Sequence, residues 1–157
     1  MGEFEFSANA SSTATPEQVW EVVANPSSWR SWWKQWEDAE TDGPLAAGSV
    51  IRANRLEADV TDRDDRPGEI GGAKVKTVEV TVLEAVQPSR LVLRNASIGD
   101  ERFIFEISPG GQGSEIRYSR VAKVPRFFNL LGKMMKGRME SEARQAANAL
   151  AREAAAG

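Results

Sequence analysis

The sequence predicts an α+β fold in which one strand and two short helices precede six antiparallel strands and a long C-terminal helix. Three patterns carry this prediction. Apolar and polar residues alternate near the N-terminus, turn-forming residues separate short apolar runs in the middle, and apolar residues recur at helical spacing after Pro125. Strands joined by tight turns pair in antiparallel order. A chain of 157 residues is the usual size for one domain, so we expect a single domain over residues 1–157.

The N-terminal segment combines a strand with two short helices. Residues 3–11 alternate Phe and Ala with Glu, Ser and Asn, which is the period of a half-buried strand. Thr15 is placed as an N-cap and Gln18 completes a capping box, so a helix should run over residues 16–24. The residue before Pro26 disfavours helical geometry and ends this helix, and Pro26 itself can begin a second short helix.

Six further strands are predicted between clusters of turn-forming residues. They are Gln35–Thr41, Ser49–Glu57, Lys74–Val86, Arg90–Ala96, Glu101–Ser108 and Ser114–Lys123. Residues 58–73 are polar, acidic and Gly-rich, which indicates a long surface loop or an extended hairpin tip. A loop of that length in a compact domain is usually functional or disordered, and a lid is one interpretation.

The C-terminal segment has the pattern of one long helix, from Phe127 to Ala154. At 1.5 Å per residue it would span roughly 42 Å. Its apolar face carries Phe128, Leu131, Met135, Met139, Ala143, Ala146 and Leu150. The first half of this face is bulky and Met-rich and the second half is Ala-rich, so we expect tight packing on the sheet at one end and a looser, adaptable surface at the other.

Composition excludes several kinds of chemistry. The chain has no Cys and no His, which removes disulfides, thiol catalysis, Ser-His-Asp machinery and sites built on His or thiolate ligands, and we predict no metal and no cofactor. No secretory signal and no apolar run of about 20 residues is visible, which predicts a cytoplasmic protein without stable membrane insertion. An acidic region at 37–69 and a basic one at 117–139 are too dilute to indicate nucleic-acid binding.

Several local motifs occur in an order that is typical of a known superfamily. They are Ala-Thr-Pro-Glu-Gln-Val-Trp (14–20), Asn-Pro-Ser-Ser-Trp-Arg-Ser-Trp (25–32), Val-Gln-Pro-Ser-Arg-Leu-Val-Leu (86–93), Phe-Ile-Phe-Glu-Ile-Ser-Pro (103–109) and Gly-Ser-Glu-Ile-Arg-Tyr (113–118), with Gly48 opening a strand. With these motifs the chain resembles the SRPBCC superfamily, which has the START-like helix-grip fold, and in particular its polyketide cyclase/dehydrase branch. The resemblance covers roughly residues 4–150.

The resemblance implies a curved sheet that grips the long helix, with a hydrophobic cavity between them and a mouth near the short helices and loops. Members of the superfamily include lipid carriers, hormone receptors, aromatases and cyclases, oxygenase domains and chaperone activators, so the fold does not select the function. This chain departs from the iron-binding oxygenases and from cyclases that use a His, because it has none.

All five tryptophans lie between residues 20 and 36, and Trp29, Trp32, Trp33 and Trp36 have the spacing of one aromatic stripe on a helix. Three of them, Trp20, Trp29 and Trp32, have a structural interpretation, since an aromatic stripe at helical spacing usually belongs to a core. Trp33 and Trp36 fall at the junction of helix and strand, near the expected mouth. We predict that one of them, Trp33 by preference, stacks on a ring-containing ligand.

Strand alternation supplies further candidates for ligand contact, because it separates the two faces of a sheet. The candidates are Asn95, Phe103, Phe105, Tyr118 and Arg120 on the strands and Phe128, Leu131, Met135 and Met139 on the helix. Apolar members fill a core equally well. The inward-facing polar groups need a partner, which is either a ligand carboxylate, phenol or carbonyl, or an internal hydrogen bond or water. Arg52 and Asn54 are two further candidates for ligand contact. They share one face of their strand and Arg55 lies on the other, and the pattern leaves open which face is inside.

These observations favour three functions in decreasing order. The first is a carrier or sensor that holds a small hydrophobic molecule, aromatic or lipid-like, in the cavity. The second is a polyketide cyclase or dehydratase in which Tyr118 acts as an acid or hydrogen-bond donor and Arg120 stabilises an enolate. The third is docking on a membrane or partner through segment 127–139, whose basic flank would give weak contact with an anionic surface. No feature of the sequence specifies the ligand or the oligomeric state.

Overall fold

The computed structural model describes residues 2–58, 73–96, 100–124 and 129–156, and gives the backbone alone at 2–4, 56–58, 73–75, 124 and 129–135. Its strands are β1 (Gly2–Ser12), β2 (Trp36–Glu40), β3 (Val50–Ala58), β4 (Ala73–Val86), β5 (Arg90–Asn95), β6 (Glu101–Gly110) and β7 (Gly113–Val124). Its helices are α1 (Pro16–Val23), α2 (Trp29–Trp32), which follows a 3-10 turn at Pro26–Ser28, and α3 (Asn129–Ala156). The predicted α+β fold and element order are confirmed.

The start of α1 is set by local hydrogen bonds, as the sequence predicts. The backbone N–H of Gln18 donates to Thr15 Oγ1 at 3.2 Å, and the backbone N–H of Thr15 donates to Gln18 Oε1 at 2.9 Å. This capping box satisfies two of the free N–H groups at the helix start. The chain then turns at Pro26 and enters α2, which is only one turn long.

The strands form one curved antiparallel sheet with the order β1-β7-β6-β5-β4-β3-β2. β1 pairs with β7 along its whole length, from Gly2 opposite Val124 to Ser12 opposite Ser114. The pairing of β3 with β4 extends to Ala58 opposite Ala73, so these strands form a long hairpin. Residues 59–72, which include most of the predicted loop or lid, lie outside the described residues.

Helix α3 packs on the sheet through its Ala-rich end. Ala143, Ala147, Leu150 and Ala154 are buried, and the helix lies mainly against β1. Ser12 Oγ also donates to the backbone carbonyl of Ala151 at 2.7 Å. Small side chains let the helix approach the sheet closely here, which agrees with the tight packing expected at one end of the helix.

Candidate functional site

The inner face of the sheet, which is turned toward α3, carries one buried row from each central strand. The residues of this face are Leu91, Leu93 and Asn95 on β5, Phe103, Phe105 and Ile107 on β6, and Ile116, Tyr118 and Arg120 on β7. All of them are buried except Arg120, whose side chain is partly exposed. The face is therefore apolar over most of its area and becomes polar toward Asn95 and Arg120.

An aromatic cluster fills the space over the apolar part of this face. It consists of Trp29, Trp32, Trp33, Trp36, Phe103, Phe105 and Tyr118. Trp33 is at its centre, with ring centroids 5.1 Å from Phe103, 5.2 Å from Phe105 and 5.8 Å from Tyr118, all nearly perpendicular. Trp32 stacks on Trp33 at 5.3 Å with an interplanar angle of 13°. These are favourable geometries for aromatic pairs.

The expectation that Trp33 and Trp36 lie at the mouth is wrong. Trp33 is 3% exposed and Trp36 is 1% exposed, so neither ring offers a free face to solvent. The cause is that α2 ends at Trp32, and Trp33 has extended geometry with φ −110° and ψ 91°, which takes its side chain off the helical stripe. With its side-chain oxygen turned toward the two indoles, Gln35 accepts their Nε1–H groups at 3.3 and 3.2 Å. All five tryptophans are thus core residues.

A buried ion cluster of Arg55, Glu101 and Arg120 borders the aromatic cluster. Both guanidinium groups donate to the carboxylate of Glu101, which is 2% exposed. Arg55 Nη2 reaches Glu101 Oε2 at 3.3 Å, and Arg120 Nε reaches the same oxygen at 2.8 Å. Asn95 Nδ2 donates to Glu101 Oε1 at 3.5 Å. The three charged residues come from β3, β6 and β7, so the cluster ties the two halves of the sheet together.

The ion cluster keeps its charges. Burial disfavours the ionised form of Glu101, but the charges of Arg120 and Arg55 and their hydrogen bonds outweigh burial and hold the pKa of Glu101 below its usual range. Burial acts against the charge of Arg120 too, and the carboxylate of Glu101 more than offsets it and raises the pKa of Arg120. Burial raises the pKa of the Tyr118 phenol well above its ordinary value, so this hydroxyl stays protonated.

The aromatic and ion clusters are in direct contact. The guanidinium carbon of Arg55 lies 5.9 Å from the ring centroid of Trp36, and that of Arg120 lies 5.9 Å from the ring centroid of Phe103. Cation–π contacts of this kind are favourable when water is excluded. The aromatic cluster, called the aromatic floor below, therefore has two cations at its edge.

Two of the predicted contact residues lie on the other face of the sheet. On β3 the inner face carries Ile51, Ala53 and Arg55, while Arg52 and Asn54 point outward. Asn54 accepts from Thr77 Oγ1 at 2.8 Å on this outer surface. Arg52 and Asn54 line a cleft of about 570 Å³ at the β2 edge, together with Ser27, Arg30, Asp38, Ala39, Glu40, Ala53 and Thr77. The structure thus does not bring them together with the other candidates.

Arg55 and Glu101 are the functional candidates that sequence reasoning missed. Both have a signal in the pattern, since Arg55 is in phase with Ile51, and Glu101 is in phase with Phe103. A charged residue in the apolar phase of a strand has to find a partner. That partner is 46 residues away along the chain, which strand alternation alone does not reveal.

The helix candidates are only partly within the described structure. Phe128 lies outside the described residues, and the side chains of Leu131 and Met135 do as well, although their backbone belongs to α3. Met139 is half-buried, one turn before Glu142. Glu142 Oε2 lies 4.0 Å from Arg120 Nη1, so this part of the helix adjoins the ion cluster.

Metal clusters and membrane spans are both absent from the described residues. In the described ranges no group of three or more acidic, His or Cys side chains is arranged to hold a metal ion. None of the helices within those ranges has the length and apolar character needed to cross a bilayer.

The sequence of this chain matches one protein family over nearly its full length. The sequence profile described as "Polyketide cyclase / dehydrase and lipid transport" matches residues 3–155. A search of curated proteins finds no match.

Solved structures with the same architecture are numerous but distant in sequence. TTHA0849 from Thermus thermophilus has 16% identity and a TM-score of 0.72 over 98% of both chains. Ara h 8.0201 has 13% identity and a TM-score of 0.61, covering 99% of this chain and 100% of the other. The di-domain ARO/CYC StfQ from the steffimycin biosynthetic pathway has 9% identity and a TM-score of 0.67, covering 99% of this chain and 52% of the other. At such identities these likenesses establish the fold alone.

Proposed function

This chain belongs to the polyketide cyclase/dehydrase and lipid transport family, and on that basis we propose that it carries or senses a small hydrophobic molecule, aromatic or lipid-like. The ligand would lie between the sheet and α3, on the open side of the aromatic floor. The proposal rests on one observation, which is that the inward-facing side chains of β7 become more exposed to solvent along the strand. Tyr118 is buried, whereas Arg120 and Ala122, the next inward positions of β7, are partly exposed.

The accessible end of the inner face offers suitable contacts for such a ligand. Ala122 on β7 is a half-buried apolar residue two positions after Arg120, and Met139 on α3 is half-buried one turn before Glu142, which approaches Arg120. Met adapts to varied shapes because its side chain is flexible and polarizable. The neighbouring aromatic cluster is closely packed, so affinity would come from burial of the ligand's apolar surface against it.

Neutral hydrophobic probes test this proposal. N-phenylnaphthylamine and dodecanol represent the aromatic and lipid-like classes, and each should raise the Tm in a thermal-shift assay. Binding that favours the folded state adds about 2.7 kcal/mol at a ligand concentration of 100 times Kd. No shift with either probe would remove the support for a hydrophobic carrier.

A bulky substitution at the proposed position tests where the ligand binds. Ala122→Phe places a ring at the accessible end of the inner face and should weaken both probes at least tenfold, because it occupies the volume that they need. Val121→Phe is the matched control, since Val121 is the neighbouring half-buried residue on the outer face. Equal affinities in the two variants would contradict the location.

The cyclase or dehydratase hypothesis has less support. Tyr118 is 3% exposed and stacks on Phe105 with centroids 4.8 Å apart, so a substrate could not reach its hydroxyl without displacing the floor. The raised pKa of Tyr118 makes the phenol a weaker acid.

Docking on an anionic surface also has less support. Lys136 pairs with Glu140 at 3.9 Å and Arg138 pairs with Glu142 at 3.5 Å, so two of the basic residues on the helix flank have acidic neighbours. Such pairs reduce the net positive charge of the helix flank, and with it the attraction to an anionic membrane. Co-sedimentation with phosphatidylserine vesicles at low salt, abolished at high salt, would restore this hypothesis.

A further inference from the structure

We infer that the buried ion cluster anchors the acid group of the ligand, so that this protein selects a hydrophobic carboxylic acid over its neutral counterparts. The inference rests on the proposed function, because it assigns the polar end of a ligand whose apolar end lies above the aromatic floor. It involves no bond making or breaking, only recognition of a monoanion.

The first argument is the charge balance. Arg55 and Arg120 contribute two positive charges, and Glu101 supplies one negative charge between them. In the part of the chain that the structure describes, Glu142 is the other carboxylate within 4.0 Å of either guanidinium, and it is half-exposed and shared with Arg138 at 3.5 Å. The buried part of the cluster therefore has a net charge of about +1. Uncompensated buried charge is unfavourable, and a monoanion would balance it.

The second argument is the number of hydrogen-bond donors. A guanidinium has five N–H donors, whereas a carboxylate accepts at about four lone-pair sites. Glu101 already accepts from two nitrogens of Arg55 and two of Arg120. Arg120 Nη1 lies 4.0 Å from Glu142 Oε2, which is beyond hydrogen-bond distance. Donors on the two arginines therefore outnumber the acceptor sites of Glu101.

The third argument is the surroundings of the exposed cation. The Arg120 side chain is 16% exposed, against 9% for Arg55 and 3% for Glu101, so it is the member of the cluster that a ligand meets first. Ala122, the next inward position of β7, is half-buried, and so is Met139, one turn before the Glu142 that approaches Arg120. A carboxylate at Arg120 with a tail along these residues would pair the charge and bury the chain. A dianionic phosphate would overcompensate a single positive charge, which is why we assign a carboxylic acid.

A matched pair of fluorescent probes tests the inference. Dansylaminoundecanoic acid and its methyl ester share the ring and alkyl chain and differ in the ionised head. At neutral pH and low salt the wild-type protein should bind the acid at least about tenfold more tightly than the ester, which is ~1.4 kcal/mol. Equal affinity for acid and ester overturns the inference, and binding of the ester leaves the proposed function standing.

Variants of the ion cluster should change the preference for the acid over the ester in opposite directions. Arg120→Gln should reduce the acid-to-ester preference to about one, with little effect on the ester. Glu101→Gln should raise the preference, because it removes the competing carboxylate. Arg117→Gln is the control, since Arg117 is an exposed arginine on the outer face of the same strand. A structural role alone would change the affinities for acid and ester by the same factor.

The outcomes separate the two proposals. If the wild-type protein binds neither the acid nor the ester, the carrier function and this inference are overturned together. A preference that persists in Arg120→Gln, or falls in Glu101→Gln, overturns the inference alone. If Arg120→Gln does not fold, as judged by circular dichroism, the wild-type preference and Arg120→Lys decide instead, since the Lys variant keeps the charge and should retain part of the preference.

Discussion

Replacing Glu101 by Gln should destabilise the folded protein strongly. The variant keeps the shape of the side chain but leaves Arg55 and Arg120 buried beside each other without their shared counterion. Removing one partner of a buried ion pair costs about 3–5 kcal/mol. In a chain of this size each kcal/mol lowers the Tm by about 2–4 °C, so we expect a fall of roughly 6–20 °C.

Urea unfolding followed by tryptophan emission measures this effect directly. All five tryptophans are buried in the folded protein, so their emission reports exposure of the core. Glu106→Gln is the control, because Glu106 lies on the same strand but is half-exposed and paired with Arg90 at 3.4 Å. An exposed pair of this kind contributes at most about 1 kcal/mol. If the two variants lost the same small amount of stability, the cluster would not be a buried ion network.

The stabilisation from Glu101 should also depend on pH. Its pKa is lower in the folded protein than in the unfolded chain, so the ionised carboxylate stabilises the fold above the unfolded pKa, about 4.3. This contribution is lost as the pH falls from there through the folded pKa. The stability difference between wild type and Glu101→Gln should therefore be constant near neutral pH and shrink in acid. A difference that grew in acid would contradict the assigned sign.

Three further substitutions test the packing that holds the floor and the helix in place. Trp33→Ala should cost about 3–5 kcal/mol in urea unfolding, because it empties the centre of the aromatic cluster, and a loss under about 1 kcal/mol would show that the ring is not packed. Gly113→Ala should lower the Tm measurably by calorimetry, since its Cβ would lie 2.2 Å from the backbone oxygen of Ser12; an unchanged Tm would refute this close approach. Thr15→Ala should cost about 1 kcal/mol by removing the cap on α1, and an unaltered urea midpoint would show that the cap is dispensable.

The secondary structure was predictable because its signals are local. The capping box at Thr15 and Gln18 is formed within four residues, and strand alternation in 3–11 needs no distant partner. The long helix was predicted to end at 154 and ends at 156, within the usual variation of helix ends, and the predicted positions 127 and 128 lie outside the described residues. Such features depend on neighbours in the chain and so can be read from the sequence.

The tryptophans show where local reasoning stops. Helical spacing grouped Trp29, Trp32, Trp33 and Trp36 on one stripe, but the helix ends after Trp32 and Trp33 points into the sheet instead. Ring packing against Phe103 and Tyr118 outweighs the periodicity, since it buries the largest side chain at the centre of the core. A one-turn helix is too short for its spacing to determine which side chains face a ligand.

The sequence by itself determined the element order, the antiparallel sheet and the family of this protein, because caps, turns and alternation act over a few residues. Only the tertiary structure decided that Arg55 faces inward while Arg52 faces outward, and that Glu101 joins Arg55 to Arg120. The physical reason is that a buried charge is tolerated only where distant strands supply its partner, and strand pairing sets that arrangement. The charge imbalance that we assign to the recognition of a carboxylic acid is therefore a property of the folded sheet.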